Sequence, residues 1–152
     1  MNIAWHYLDK RSAAINALND YESMKYILDH IPEEINELKK GMQSITSPRL
    51  SDMPKAPHDP HAGENKIINN LDSIDIMESR HQRAKEFFDW FQPAWNGLSD
   101  AERYVLTCFF LEKTDQQEGV NQICEHFHIE RSSAYKKKDR ALSHLALLLY
   151  GK

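Results

Sequence analysis

The sequence predicts an all-α protein: an N-terminal helical hairpin of coiled-coil character, followed by a C-terminal helix-turn-helix domain. Three observations lead there. Apolar residues recur at alternating spacings of three and four along most of the 152 residues, which is the period of a helix and not of a strand. Glycine and β-branched residues are sparse while Leu, Ala, Glu, Lys and Met are plentiful, a balance that favours helix. In the last third, a short apolar-faced segment meets a tight break, and a second helical segment then opens with hydroxyl and basic residues, Arg131-Ser132-Ser133.

Residues 1–43 form the first region. Ala14, Leu18, Tyr21, Lys25 and Leu28 alternate at four and three, and Ile31, Ile35, Leu38 and Met42 continue the series across Pro32. Pro32 either opens a second helix at its first position or kinks a single one, and Gly41 is the expected end. Residues 44–63 hold four of the six prolines, Pro48, Pro54, Pro57 and Pro60, and read as a linker. Residues 64–97 form a long amphipathic helix with Ile67, Ile68, Leu71, Ile74 and Met77 on one stripe. That helix ends in the aromatic cluster Phe87, Phe88, Trp90, Phe91 and Trp95 and is expected to pack on the first region. Glu78, His81 and Gln82 interrupt the stripe, so the middle of the pairing is expected to be solvated.

The final domain, 98–152, starts sharply, with Pro93 and Gly97 expected to break the preceding helix. Ser99 is an N-cap with Glu102 as its capping-box partner, and Ala101, Tyr104, Val105, Cys108 and Phe109 form the inward stripe. Asp115 and Gly119 mark the next connection; Val120, Ile123, Cys124 and Phe127 face the core, and Ile129 plugs the turn. His128 takes the turn position where glycine most often supplies a left-handed backbone. On the last helix Ala134, Ala141, Leu142, Leu145 and Leu148 are the expected core face. Ser133, Lys136, Lys137, Arg140 and His144 recur on the other side, with Arg131 and Ser132 at the helix start, where exposed N–H groups favour a phosphate.

That outer face suits a duplex. Arginine can fork onto a guanine edge, lysine reaches a guanine or a phosphate, and serine donates to phosphate oxygens while letting the backbone approach. The candidate DNA-binding residues are therefore Arg131, Ser132, Ser133, Lys136, Lys137 and Arg140. An isolated lysine run is ordinarily just solvated surface, but this one occupies the second helix of a bihelical unit and begins in its first turns. The formal charge of −4 argues against a generally nucleic-acid-coating protein. Between Arg131 and Arg140, however, five basic residues face a single acid, Asp139.

Other chemistry is weaker. No Gly-rich phosphate loop, nucleophile elbow or recognisable pair of catalytic carboxylates is present, so no enzymatic activity and no cofactor are expected. His58-Asp59-Pro60-His61 sits in a Pro-bracketed loop, and Cys124, His126 and His128 straddle a turn; neither spacing makes a metal site. The aromatic cluster could stack bases of a single strand, but aromatics at helical spacing belong more often to a core. Cys108 and Cys124 are expected to be reduced thiols on apolar faces. Nothing resembles a secretory leader or reaches the ~20 apolar residues of a membrane span, so a cytoplasmic protein without a membrane partner is expected.

The segment from Leu98 to Lys152 resembles the region-4 type helix-turn-helix of sigma factors, in the form carried by small phage and prophage proteins of Gram-positive bacteria. The residues that carry it are Leu98-Ser-Asp-Ala-Glu-Arg-Tyr-Val-Leu, Ile123-Cys-Glu-His-Phe-His-Ile, Arg131-Ser-Ser-Ala-Tyr, Arg140-Ala-Leu and the ending Leu145-Ala-Leu-Leu-Leu-Tyr-Gly-Lys. Thr46-Ser-Pro-Arg, Met53-Pro-Lys and Trp90-Phe-Gln-Pro-Ala-Trp extend the likeness over nearly the whole chain. That family in turn is similar to the ArpU-type phage transcriptional regulators. The resemblance implies control of phage late-gene transcription through double-stranded DNA near a promoter. The helical hairpin is expected to serve a homodimer or a partner contact, with RNA polymerase among the candidate partners. No counterpart of the other promoter-binding sigma region is evident, which argues against a complete sigma factor. Two rival functions fit the same pattern: a small terminase-like DNA-packaging protein, and a sigma-like module that binds protein only.

Overall fold

A computed structural model of the chain describes residues 9–46, 61–112 and 115–151. Pro48, Pro54, Pro57, Pro60 and His58 of the expected linker lie outside these residues. Every regular element among the described residues is helical: α1 (Lys10–Thr46), α2 (Ala62–Asn96), α3 (Asp100–Leu106) with a π turn after it (Thr107–Leu111), α4 (Gln116–Phe127) and α5 (Arg131–Tyr150). The all-α expectation holds.

Helix ends depart from the sequence reading in instructive ways. Helix α1 carries Pro32 inside it, with Ile31 and Ile35 both buried on the same side, and continues through Gly41 to Thr46. One exposed helical glycine costs only about 1 kcal/mol relative to alanine, too little to end a helix whose Leu38 and Met42 still pack. Pro93 does not break α2 either. The helix runs on to Asn96, because Phe91 and Ala94 on both sides of the proline are buried, and Gly97 N–H then closes the end onto the carbonyls of Pro93 and Ala94, both at 3.1 Å.

The described residues form two compact units, one of residues up to 24 together with 86 onward, the other of 25–85. In the second unit α1 and α2 share a thin core, Ile31, Ile35 and Ile74, with Ile27, Leu38, Met42 and Met77 packed around it. Glu78 and Gln82 are exposed, in keeping with a solvated middle, and Glu78 pairs with Lys39 at 3.9 Å. Ile68, Leu71 and Ile76 of α2 remain about half exposed.

The first unit holds the larger core. Ala14, Ala17 and Leu18 of α1, Phe91 and Ala94 of α2, Leu106 of α3, and Ala141, Leu142, Leu145, Ala146 and Leu149 of α5 form one buried cluster with Leu98. The aromatic cluster is anchored in this core by Phe91, which is fully buried and stacks between the partly buried Phe87 (5.3 Å between ring centres) and Trp95 (5.8 Å), while Trp90 is exposed. Leu148, expected inside, is 40% exposed and lies across Gly97, while Ala146 and Leu149 take the core positions. The reason is that α5 is covered along a stripe centred on Leu142 and Leu145, and Leu148 falls on its flank. A second cluster, Val105, Cys108, Val120, Ile123 and Ala134, joins α3, α4 and the start of α5.

Candidate nucleic-acid interface

The surface of interest is the outer side of α5, and four local features position it. First, Ser99 caps α3 through a reciprocal box: Glu102 N–H donates to Ser99 Oγ at 3.2 Å, and Ser99 N–H donates to Glu102 Oε2 at 2.9 Å. Second, the connection from α4 to α5 is only His128, Ile129 and Glu130. His128 is left-handed (φ 53°, ψ 49°), and its N–H and that of Ile129 both close onto the Cys124 carbonyl. Among the described residues it is the one non-glycine residue with positive φ, at the position where the sequence called for that conformation. Third, Ile129 packs against the second cluster, which fixes the angle at which α5 leaves the turn. Fourth, α4 approaches the π turn very closely at Gly119. This glycine is not part of a connection, as its position suggested, but a buried residue within α4.

The lysine run divides by what each side chain meets. Lys136 is exposed. Lys137 is half-buried, its ammonium 4.7 Å above the Phe127 ring. Lys138 lies over Phe109 and Tyr135, at 5.0 and 5.2 Å from the ring centres. One outward lysine and two seated on aromatic faces is a different surface from three solvated charges. Helical register, at about 100° per residue, puts Ser132, Ser133, Lys136 and Arg140 on one ridge with Lys137 along its edge. Arg131 is exposed in the first turn but stands about half a turn around the helix from Arg140, so it is not part of that ridge. No side chain caps the start of α5, where Glu130 is the N-cap residue.

Between this ridge and the start of α3 lies a cleft of ≈ 200 Å³ lined by Ser99, Ala101, Glu102, Val105, Lys137 and Arg140. Ala101, expected inside, is exposed on its wall, and Leu106 is buried instead. His144, expected on the outer face, turns to Glu102: Nδ1 is 3.0 Å from both carboxylate oxygens. Two acids near the ridge are thereby engaged, Glu102 by Ser99 and His144, and Asp139 by Arg11 from the first turn of α1. Among the described residues neither Lys136 nor Arg140 has an ion-pair partner. Sequence reasoning did not foresee Arg11 at this surface. It is separated from Asp139 by most of the chain, and no local pattern links the two.

The Glu102 carboxyl sits below its usual value of 4.5; burial works against the charge, but the Ser99 N–H and the His144 imidazole outweigh it. A carboxyl depressed in the folded state contributes stability above its unfolded pKa and loses it as pH falls through the folded value. Glu102→Gln should therefore flatten the fall in stability on acidification below about pH 4.5, as read by urea unfolding across an acid series compared with the native chain. An unchanged acid limb would show that the pair carries no linkage.

Cys108 is buried and Cys124 partly so, both as free thiols, and burial pushes the Cys108 thiol up, away from the reactive thiolate. Among the described residues no three His, Cys, Asp or Glu side chains converge on a possible metal position, and no helix is long and apolar enough to cross a membrane. Comparison of the chain with protein-family profiles, with curated proteins and with solved structures finds no match.

Proposed function

We propose that this chain is a sequence-specific double-stranded DNA-binding protein, a transcriptional regulator of the phage or prophage type, in which α4, the His128 turn and α5 act as a helix-turn-helix. The observation that carries the reading is the ridge of exposed Ser132, Lys136 and Arg140 with half-buried Ser133 on the second helix of a tightly turned helix pair, with the nearby acids Glu102 and Asp139 engaged by other groups. Docked in a major groove, Lys136 and Arg140 would supply base or phosphate contacts, and Arg131 would meet the backbone from the helix start. Lys137, held over Phe127, would reach a phosphate from the edge. The reading assigns no catalytic step and no cofactor.

The thin core of the unit over 25–85, with Ile68, Leu71 and Ile76 left exposed, supports a homodimer formed through α1 and α2. Sedimentation measurements separate the possibilities: a dimer suits a regulator that reads two half-sites, whereas a closed ring favours DNA packaging.

Fluorescence-anisotropy titration of the full chain against duplexes from its own genomic neighbourhood, at low and moderate salt, tests the central claim. The comparison variant is Lys136→Ala/Arg140→Ala, chosen because both side chains are exposed, whereas removing Lys137 also strips packing from Phe127. Each phosphate contact contributes about 0.9 to the slope of log affinity against log salt, so the double variant should bind at least about tenfold more weakly, with a slope shallower by up to about two. No binding of any duplex by the intact chain at low salt would make this a protein-interaction module instead.

A further inference from the structure

We propose that Arg11 is a positioning residue for the duplex-facing ridge: it holds Asp139 away from Lys136 and so keeps the Lys136 ammonium available to DNA, an inference that rests on the DNA-binding reading above. Asp139 is the only acid between Arg131 and Arg140, and it stands three residues after Lys136 and seven after Ser132. Side chains three or four apart on a helix are neighbours, so an unoccupied Asp139 would pair with Lys136 and place a carboxylate beside the phosphates. Instead the Arg11 guanidinium binds the Asp139 carboxylate from α1.

The first turn of α1 supplies an independent observation. It contains no acid and opens with Lys10 and Arg11, two cations at the end of a helix whose dipole favours anions. Both reach α5. Lys10 Nζ donates to the Gly151 carbonyl at 2.9 Å, at the negative end of α5, and Arg11 takes Asp139. Their place is fixed from both sides. Asp9 accepts from Ser12 N–H at 3.2 Å and from Ser12 Oγ–H at 2.7 Å, and Ala14, Ala17 and Leu18 bury against Ala141, Leu142 and Leu145. An exposed pair of this kind stabilises the fold by at most about 1 kcal/mol. Its consequence is for the charge of the ridge, where it turns one lysine and one acid into a lysine alone.

The test is a charge cycle on the full chain, using the duplex that the native protein binds most tightly, at two salt concentrations. Arg11→Ala should weaken binding by up to about fivefold at low salt and make the salt slope shallower by up to about one, since Lys136 is then shared with Asp139. Arg11→Ala/Asp139→Asn should restore native affinity, Asp139→Asn alone should bind at least as well as the native chain, and Arg11→Lys should recover most of the loss. Thermal unfolding of the same variants should be nearly unchanged. Native affinity in Arg11→Ala overturns the inference while leaving the DNA reading intact, and so does a double variant as weak as Arg11→Ala, since the loss would then come from displaced α1 and not from Asp139. If the native chain binds no duplex, the DNA reading fails and this inference falls with it.

Discussion

Phe91→Ala is expected to cost about 3–5 kcal/mol of unfolding free energy and to lower Tm on the order of 10 °C, the largest effect of any single truncation among the described residues. Phe91 is fully buried, it is the largest such side chain, and it belongs to the cluster that includes residues of α1, α3 and α5. Its ring touches Tyr21 of α1 (5.6 Å between ring centres), Phe87 and Trp95, so truncation removes contacts on several sides that cannot all collapse into the gap. Far-ultraviolet circular dichroism with increasing urea would measure the loss. A change in midpoint with an unchanged slope would show that α1, the end of α2 and the C-terminal helices unfold together. A loss below about 1 kcal/mol would mean that α5 is held by α3 and α4 alone, and that the start of α1 contributes little to its placement.

The distinction matters for what the sequence could and could not disclose. Periodicity identified apolar faces well: Ala14, Leu18, Ile31, Ile35, Ile74, Ala134, Ala141, Leu142 and Leu145 are all buried. It could not say what covers each face, because a helical stripe has the same spacing whatever packs on it. The aromatic run from Phe87 to Trp95 reads equally well as hairpin, stacking platform or domain core until Leu142 and Leu145 are seen in the same cluster. Local backbone chemistry was legible where it is local. The Ser99–Glu102 box and the left-handed His128 follow from residues within a few positions of one another. Helix ends at Gly41 and Pro93 were misjudged because the preference of one residue, worth about 1–3 kcal/mol, is overridden when its neighbours are buried. On α5 the sequence named a basic face, but Lys137 and Lys138 are seated over Phe127 and Phe109, and only the tertiary fold brings those rings there. The Arg11–Asp139 pair had no sequence signal at all, since its strength depends on α1 lying on α5.

Gly119→Ala and Gly41→Ala should move stability in opposite directions, although both place a methyl group inside a helix. At Gly41 a Cβ would meet nothing within 4 Å, so alanine should add about 1 kcal/mol by relieving the conformational cost of glycine. At Gly119 the same atom would stand 2.6 Å from the Cys108 carbonyl oxygen and 3.3 Å from its carbonyl carbon. The obstacle is backbone and not the end of a flexible side chain, so relief requires α4 to shift away from the π turn. That shift would loosen Val120 and Ile123, both fully buried, and with them the pocket that receives Ala134 at the start of α5. Overpacking of this kind typically costs about 1–3 kcal/mol, enough to exceed the gain in helix propensity. Because the displaced helix also carries the His128 turn, the proposed DNA binding predicts that this variant binds duplex more weakly than its remaining folded fraction accounts for, whereas Gly41→Ala binds as the native chain does. Unfolding curves and anisotropy titrations on the two variants would check both halves. A stabilised Gly119→Ala would show that the close approach of α4 to the π turn is slack, and that the angle of α5 is set by the turn alone.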